Sequence, residues 1–332
     1  MKITVLGAGA WGTALARSLI ERDHEVTLWT WQRDHAAAMQ QARENVTFFP
    51  GHALPESLAI EADLSRALER VELFVLAVPS PVLRVTLRAA LPFLSARPTA
   101  VIASKGIETN SLALMTEVVE EETKSAPLPS VVLSGPSFAD EVARKMPTNL
   151  VAASTDPEQA LLVQQAVASE WLRVYTSEDP VGVEVGGALK NVIAIAAGAI
   201  DGLGLGHNTR AALITRGIAE MARLAIALGG SQLTVAGLSG VGDLILTCTG
   251  DLSRNRALGY KLGQGATLAE ALEKSRGVAE GYTTAKSAYE LGQRNGVMMP
   301  IVEAVYSVLY GGSSPKEALK TLLARPLRAE WE

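Results

Sequence analysis

Hydrophobic and polar positions alternate in two different ways along this chain. Up to about residue 180, short runs of β-branched and apolar residues alternate with segments of helical period. Such an alternation predicts a mostly parallel sheet with helices on both faces. The predicted strands are 3–6, 24–29, 71–78, 99–104, 131–133, 148–153 and 172–176, and the predicted helices are 13–20, 33–41, 64–70, 82–91, 111–123, 157–169 and one that starts at about 137. The segment 45–57 is predicted to be rich in loops, because it contains Pro50, Gly51 and Pro55.

The pattern changes after residue 180, where every segment has helical length and period. Glycines separate these segments and act as helix stops. The predicted helices are 181–200, 209–228, 233–248, 253–262, 267–274, 282–295, 300–310 and 315–324. The sequence therefore predicts an α/β domain over residues 1–180 and an all-α domain over residues 181–332. A length of 332 residues agrees with two domains.

Composition excludes several classes of function. The chain has 30 Lys and Arg against 35 Asp and Glu, a net charge of −5, which gives no electrostatic reason to bind nucleic acid or an acidic membrane surface. Its single cysteine, Cys248, excludes an internal disulfide and suits a reducing compartment. No pair of His or Cys residues has the spacing of metal ligands.

No segment of the sequence has the pattern of a membrane anchor or signal peptide. The longest apolar run in the second half, 192–200, is well short of the roughly 17 residues that span a bilayer. The apolar run at the N-terminus ends in a glycine turn, and no cleavage site follows it. We therefore expect a cytoplasmic protein without membrane insertion.

A glycine motif follows the first predicted strand directly and opens the first predicted helix. Its glycines are Gly7, Gly9 and Gly12. Strand, GxGxxG turn and helix together predict a dinucleotide-binding site. Gly7 would permit the tight turn, Gly9 the close approach of a pyrophosphate, and Gly12 the close packing of helix on strand. The helix N-terminus would attract the anion. A turn needed only for packing is the alternative.

The end of the second strand indicates which dinucleotide is bound. An acidic residue about 20 positions beyond the motif would bind the ribose hydroxyls of NAD, whereas basic residues would accommodate the phosphate of NADP. The sequence here has no carboxylate before Asp34, and it offers Arg33. We therefore expect NADPH to be favoured over NADH. An arginine that is simply solvated is the alternative.

Further candidates follow the later strands. Ligands of open parallel sheets bind beyond the carboxyl ends of the strands. The turn 79–81 follows the strand 71–78, Lys105 follows the strand 99–104, and Ser134-Gly135-Pro136-Ser137 follows the strand 131–133. Lys105 would place a cation at the ligand edge, and residues 134–137 a helix N-terminus.

Two lone charges stand out in the helical half. Lys190 lies at the centre of the apolar segment 181–200, and Asp243 is the one acid in the apolar segment 238–248. A buried charge is costly without a partner, so the two could form a structural ion pair. Alternatively, Lys190 is catalytic, because burial lowers the pKa of a lysine towards neutrality. In ketone reduction, such an ammonium would stabilise and protonate the alkoxide that hydride transfer creates.

A basic cluster lies at Ser253-Arg254-Asn255-Arg256. The planar fork of arginine and the free N–H groups of a helix start both suit a phosphate. A capped surface helix with two solvated arginines is equally compatible with these residues.

Several of these motifs together resemble the bacterial-type NAD(P)-dependent glycerol-3-phosphate dehydrogenases. The matching segments, in family order, are 7–16, 104–106, 134–139, 186–192, 242–244 with 247–248, 253–255 and 278–281. The resemblance implies a Rossmann-type N-terminal domain and a C-terminal domain like that of phosphogluconate dehydrogenase. It also implies reversible reduction of dihydroxyacetone phosphate to sn-glycerol 3-phosphate for glycerophospholipid synthesis.

The resemblance also implies roles for individual residues. Lys190 would be the proton donor and acceptor, with Asp243 in the catalytic site. The implied substrate-binding residues are Lys105, Gly135, Ser137, Lys190, Asp243, Ser253, Arg254 and Asn255. The implied cofactor-binding residues are Gly7, Gly9, Ala10, Trp11, Gly12, Trp31, Arg33, Lys105, Ala139, Arg254, Val278 and Glu280. Ala10 departs from the serine that is frequent in the family, and residues 31–33 lie where the family varies.

Two other functions remain open at this stage. Dehydrogenases of 3-hydroxy acids and ketopantoate reductase also join a dinucleotide domain to a helical domain with a catalytic lysine, so the substrate could differ. A regulator that only senses dinucleotides would bind the cofactor without turnover. The apolar helical half also makes a homodimer a reasonable expectation.

Overall fold

An eight-stranded sheet organises the first part of the chain. The computed structural model describes residues 1–94, 97–273, 280–327 and 329–330. The strands are β1 (Lys2–Leu6), β2 (Glu25–Trp29), β3 (Glu44–Asn45), β4 (Phe49–Ala53), β5 (Ala59–Glu61), β6 (Leu73–Leu76), β7 (Thr99–Ile102), β8 (Ser130–Ser134), β9 (Thr148–Ala153) and β10 (Leu172–Ser177). The large sheet has the order β10-β9-β8-β7-β6-β1-β2-β5, and β3 and β4 form a separate hairpin. All neighbours in the large sheet are parallel except β8 and β9. The prediction of a mostly parallel sheet is confirmed.

Helices cover both faces of this sheet. They are α1 (Ala10–Ile20), α2 (Arg33–Ala42), α3 (Leu64–Ala67), α4 (Ser80–Ala90), α5 (Met115–Glu122), α6 (Ala139–Ala143) and α7 (Pro157–Val167), with a 3₁₀ turn at Leu91–Phe93. Successive residues of a strand point to opposite faces. Ile3 and Val5 accordingly pack with α1, while Leu6 packs in a second core with Leu83 and Leu87 of α4. Both faces of the sheet are therefore buried, as a parallel sheet requires.

Helices make up the rest of the chain that the structure describes. They are α8 (Pro180–Gly202), α9 (Gly206–Ala227), α10 (Gln232–Val235), α11 (Asp243–Thr249), α12 (Arg254–Gly263), α13 (Leu268–Glu273), α14 (Glu280–Arg294), α15 (Pro300–Tyr310) and α16 (Pro315–Leu323), with a π turn at Leu238–Gly242. The change from sheet to helices falls between β10 and α8, where the sequence places it. The division into two domains at residue 180 stays a prediction.

The helix α8 is the centre of the helical part. It starts where Asp179 Oδ1 accepts a hydrogen bond from Gly182 N at 2.8 Å. By length and composition α8 could cross a membrane, and so could α10–α12 taken as one pair bent by 49°. However, 89% of the most apolar window of α8 is buried inside the protein. Packing of neighbouring helices therefore accounts for its apolar composition.

Two segments differ from the sequence-based expectation. The single helix predicted over 233–248 is wrong, because the glycine-rich stretch 237–242 interrupts it and glycine is a poor helix former. The segment 45–57, predicted to be rich in loops, also contains the strand β4, and the short strand β5 follows it. Pro50 and Gly51 suggested a loop, but the hairpin tolerates them because it lies outside the main sheet.

Candidate active site

Three charged side chains from distant parts of the chain meet at the carboxyl edge of the sheet. Lys105 lies just beyond the end of β7, Lys190 lies in the middle of α8, and Asp243 is the first residue of α11. Ligands of open parallel sheets bind at this edge. The structure therefore brings together the three charges that the sequence analysis singled out separately.

One carboxylate holds both ammonium groups. Asp243 Oδ1 accepts a hydrogen bond from Lys190 Nζ at 2.5 Å, and Asp243 Oδ2 accepts one from Lys105 Nζ at 2.6 Å. The Asp243 side chain is only 1% exposed, whereas those of Lys190 and Lys105 are 10% and 15% exposed. Thr247 Oγ1 donates to the Asp243 carbonyl oxygen at 2.6 Å. The two ion pairs thus fix the carboxylate, and each lysine side chain retains a small accessible surface.

Burial tunes the proton affinity of this cluster. It lowers the pKa of Lys190 to about 8, and the opposite charge of Asp243 limits the fall. A lysine with that pKa exists in both protonation states near neutrality, which suits a general acid and base. Two ammonium groups around one carboxylate also leave a positive charge when both lysines are protonated. The cluster can therefore stabilise a developing alkoxide.

A chain of amides lies beside Lys190. Asn255 Nδ2 donates to Asn191 Oδ1 at 2.8 Å, and Asn255 Oδ1 accepts from Gly281 N at 3.0 Å. Asn191 Nδ2 in turn lies 3.4 Å from Glu280 Oε2. These bonds join the start of α12 and the start of α14 to the residue next to Lys190. Asn191 was not among the predicted site residues, although its position beside a lone lysine on an apolar helix was a usable signal.

The two arginines at the start of α12 have different environments. Arg256 pairs with Asp201 and Asp251 and holds the helix in place. Arg254 is exposed and has no hydrogen bond or ion pair to any other residue that the structure describes. Ser253 is buried, and its hydroxyl accepts from Arg256 N as the helix cap. Of these residues, Arg254 has the side chain that is free to meet an anion.

Gly135 and Ser137 lie in the turn after β8. Gly135 adopts a φ of +137°, and its carbonyl accepts from Ser137 Oγ at 3.0 Å and from Lys105 Nζ at 3.3 Å. The turn is therefore tied directly to the lysine cluster. The helix predicted to start at about residue 137 is α6, which starts at Ala139 and has five residues.

The glycine turn has the shape that a bound pyrophosphate requires. A Cβ on Gly7 would lie 2.6 Å from Ala77 O, and one on Gly12 would lie 2.0 Å from Gly7 O, so neither position has room for a side chain. Gly9, in contrast, faces open space within 4 Å. No side chain caps α1 at Gly9, and the first turn of α1 has no acidic residue. The N–H groups of this turn are consequently open to an anion.

The other predicted cofactor residues lie around this turn. Ala10 and Trp11 are the first residues of α1, and both pack with Ala139 around the same small apolar cluster. The indole Nε1 of Trp11 is buried without a hydrogen-bond partner. A buried donor without a partner is costly, so a ligand oxygen is a reasonable complement. The residues around the dinucleotide turn therefore fit the group.

The remaining cofactor candidates have mixed positions. Trp31 is 74% exposed, and Arg33 is an exposed residue at the start of α2. Both follow β2, whose Trp29 carbonyl accepts from Gly7 N at 3.0 Å, so they lie beside the glycine turn. Glu280 is half-buried at the start of α14. Val278 lies outside the residues that the structure describes.

Other chemistry finds little support among the described residues. No group of three or more His, Cys, Asp or Glu side chains there could hold a metal ion. Burial raises the pKa of the Cys248 thiol to about 12, so this cysteine is a packing residue rather than a nucleophile.

Comparison with known proteins gives a consistent match over the whole chain. The model of the NAD-dependent glycerol-3-phosphate dehydrogenase N-terminus matches residues 2–160, and the model of the C-terminus matches residues 179–320. A glycerol-3-phosphate dehydrogenase (NAD(P)+) of Geobacter metallireducens is 52% identical over 335 residues, covering 99% of this chain and 98% of the relative. One of Citrifermentans bemidjiense is 50% identical over 330 residues with the same coverage. The crystal structure of glycerol-3-phosphate dehydrogenase from Coxiella burnetii superposes with a TM-score of 0.94 at 38% identity, covering 98% of this chain and 99% of that one.

Proposed function

Because the chain belongs to the NAD-dependent glycerol-3-phosphate dehydrogenase family, we propose that it reduces dihydroxyacetone phosphate reversibly to sn-glycerol 3-phosphate. NADPH or NADH supplies the hydride, and the product supplies glycerophospholipid synthesis. The observation that carries the proposal is the buried cluster of Lys105, Lys190 and Asp243 at the edge of the sheet that also carries the glycine turn. The cluster has the charge and the proton affinity that reduction of a ketone needs.

The two parts of the chain would divide the work. Residues 1–180 would bind the cofactor through the glycine turn, and residues 181–332 would supply the catalytic lysine from α8. This division is supported by the end of the sheet at Ser177 and by the position of Lys190 in the helical part. Lys105 belongs to the first part and Asp243 to the second, so their ion pair would join the two parts at the site.

Lys190 would move the proton. As the carbonyl oxygen of the substrate gains charge, the Lys190 ammonium stabilises it and then protonates it. In the reverse direction, neutral Lys190 accepts the proton of the substrate hydroxyl. The pKa of about 8 supports both directions, because neither state of Lys190 is rare near neutrality.

Asp243 would hold the two lysines at a fixed separation. Its two carboxylate oxygens bind one ammonium each, so both Nζ atoms approach the substrate from defined positions. The carboxylate also opposes the loss of the Lys190 proton. Lys105, Gly135 and Ser137 would then line the substrate pocket.

Arg254 would bind the phosphate of the substrate. Its guanidinium has no partner among the described residues, whereas that of Arg256 is already paired. A guanidinium forms strong charge-assisted hydrogen bonds with phosphate. Asn255 would position this end of α12 through its bonds to Asn191 and Gly281. Ser253 would contribute mainly as the helix cap.

Arg33 would favour NADPH over NADH. It lies at the start of α2, beyond the end of β2. At this position, dinucleotide-binding proteins distinguish the free 2′-hydroxyl of NADH from the 2′-phosphate of NADPH. Trp31, Ala139, Val278 and Glu280 would complete the contacts with the cofactor.

The cellular setting would follow from the same features. We place the protein in the cytoplasm, without membrane insertion, because its most apolar helix is buried in its own core and its one cysteine is unpaired. A homodimer is supported by the apolar side chains that the helical part exposes, such as Leu233 and Ile226. Nucleic acid is not expected as a partner, since the net charge is −5.

The direct test is oxidation of NADPH by the purified protein with dihydroxyacetone phosphate, beside unphosphorylated dihydroxyacetone. We expect turnover with the phosphate ester and little with the free ketone. Equal turnover of both would indicate a substrate without phosphate. Tight binding of NADPH without turnover of either would contradict the proposed reaction.

A further inference from the structure

The hairpin of β3 and β4 contains a buried asparagine with every hydrogen-bonding position occupied. Asn45 is 0% exposed. Its Nδ2 donates to Ala8 O and to Thr13 Oγ1, both at 2.9 Å. Its Oδ1 accepts from Phe48 N at 3.1 Å and lies 3.0 Å from His35 Nε2. A buried side chain that is fully satisfied in this way is held in one orientation.

The two partners of Asn45 Nδ2 bracket the glycine turn. Ala8 lies between Gly7 and Gly9, and Thr13 follows Gly12. One side-chain amide therefore ties the entrance of the turn to its exit. The bond also directs the carbonyl oxygen of Ala8 at Asn45. A carbonyl directed at a bound pyrophosphate would instead repel it, so this orientation favours the anion.

The carbonyl of Ala8 fixes the orientation of the amide, and the amide in turn determines how His35 binds it. The carbonyl of Ala8 can only accept, so the NH₂ group of Asn45 must face it and Oδ1 must face His35. His35 Nε2 therefore carries the proton and donates to Asn45 Oδ1. His35 Nδ1 is then the acceptor for Thr30 Oγ1 at 3.3 Å. Since His35 lies on α2, two residues after Arg33, the network reaches the segment that meets the adenosine end of the cofactor.

We infer that Asn45 is a positioning residue for cofactor binding, which holds the glycine turn in the conformation that receives the pyrophosphate. The inference rests on the proposed use of NADPH or NADH. Among the described residues, this hairpin makes no hydrogen bond or ion pair to Lys105, Lys190 or Asp243, so the inference gives it a role apart from the catalytic cluster. Because the pyrophosphate is common to both dinucleotides, Asn45 should affect their binding equally. Arg33, in contrast, should affect only NADPH.

Asn45→Asp is the sharpest variant, because it keeps the shape and removes the donor. A carboxylate would face the Ala8 carbonyl at the same distance and repel it. We expect the dissociation constants of NADPH and NADH, measured by titration calorimetry, to rise by about tenfold or more each. Their ratio, the kcat and the KM for dihydroxyacetone phosphate at saturating cofactor should stay within about twofold of wild type.

Thr13→Val provides a second variant in case Asn45→Asp does not fold. It removes one of the two acceptors and keeps the branched shape. We expect both dissociation constants to rise by about threefold or more. The matched control is His52→Ala. His52 anchors the same hairpin through Asp140 at 3.0 Å and is not among the hydrogen-bond partners of Asn45. Its loss should therefore lower the thermal midpoint and leave both dissociation constants within about twofold of wild type.

The outcomes separate this inference from the proposed function. Wild-type protein that binds neither dinucleotide would contradict the proposed function. If wild-type protein binds the dinucleotides and a folded Asn45→Asp protein binds them with the same affinity, the role of Asn45 is overturned. If only Thr13→Val folds, unchanged affinity in that variant has the same meaning. A loss of affinity for NADPH alone would also overturn the role of Asn45. An equal loss in His52→Ala would show that any disturbance of the hairpin has the same effect, and it would overturn the specific role as well.

Discussion

Lys190 and Asp243 are 53 positions apart in the sequence, and their side chains meet at 2.5 Å in the interior of the protein. The same carboxylate also binds Lys105. An isolated structural ion pair would contain one cation, with both charges neutralised. The second cation leaves a net positive site at the same edge of the sheet as the glycine turn, and such a site can stabilise an alkoxide.

Replacement of Lys190 tests its part in proton transfer. We expect Lys190→Met to lower kcat by about 10²- to 10⁴-fold in both directions, the usual contribution of a general acid or base. Binding of NADPH, measured by calorimetry, should change by less than about twofold. Lys190→Arg should be equally inactive, because it keeps the charge but does not release its proton. Retained turnover in either variant would remove Lys190 from the mechanism.

Replacement of Asp243 tests how the carboxylate controls Lys190. Because Asp243 favours the charged form of Lys190, its removal should lower the pKa of that lysine further. In Asp243→Asn we expect the loss of reduction at high pH to begin about one pH unit or more lower than in wild type. Profiles of kcat/KM against pH measure the shift. An unchanged midpoint would mean that the carboxylate is not coupled to the proton donor.

Arg254 offers a test of phosphate recognition. We expect Arg254→Ala to raise the KM for dihydroxyacetone phosphate by about 10- to 100-fold, as for loss of a hydrogen bond between charged groups. Turnover of unphosphorylated dihydroxyacetone should not change. Arg256→Ala is the matched control, since Arg256 is bound to Asp201 and should affect stability instead. A KM within twofold of wild type in Arg254→Ala would assign the phosphate to other groups.

Arg33 tests the choice between cofactors. We expect Arg33→Ala to weaken the binding of NADPH by about tenfold or more and to leave the binding of NADH nearly unchanged, because only NADPH carries the additional phosphate. Arg22→Ala, at the opposite end of α1 from the glycine turn, is the control for loss of one surface charge. Equal weakening of both dinucleotides would contradict the assignment. Dissociation constants from calorimetry decide the question.

Much of the fold and site could be predicted from local sequence. The first strand, the glycine turn and α1 form one continuous segment, and the local sequence predicts the structure of each part. Lys190 and Asp243 were visible because a lone charge on an apolar helix needs a partner, and their contact confirms the predicted ion pair. Whether Lys190 is also the proton donor stays a prediction.

The rest depends on contacts between distant segments. Lys105 and Asp243 are 138 positions apart, and no local pattern indicates that Lys105 shares the carboxylate. The hairpin of β3 and β4 contains Pro50 and Gly51, so its composition resembled a loop, yet Asn45 fixes it to the glycine turn. The helix breaks between α10 and α11 at a glycine-rich stretch, which forms a π turn. Tertiary context decides such segments.

The most direct measurement is the pH dependence of kcat/KM in both directions with the wild-type enzyme. Burial places the pKa of Lys190 at about 8. Reduction of dihydroxyacetone phosphate needs the protonated lysine, so it should fall as the pH rises through about 8. Oxidation of glycerol 3-phosphate needs the neutral lysine, so it should rise over the same interval. Opposite limbs with a common midpoint within about one unit of 8 would confirm Lys190 as the proton donor and acceptor. Limbs that run in the same direction, or that persist unchanged in Lys190→Met, would contradict it.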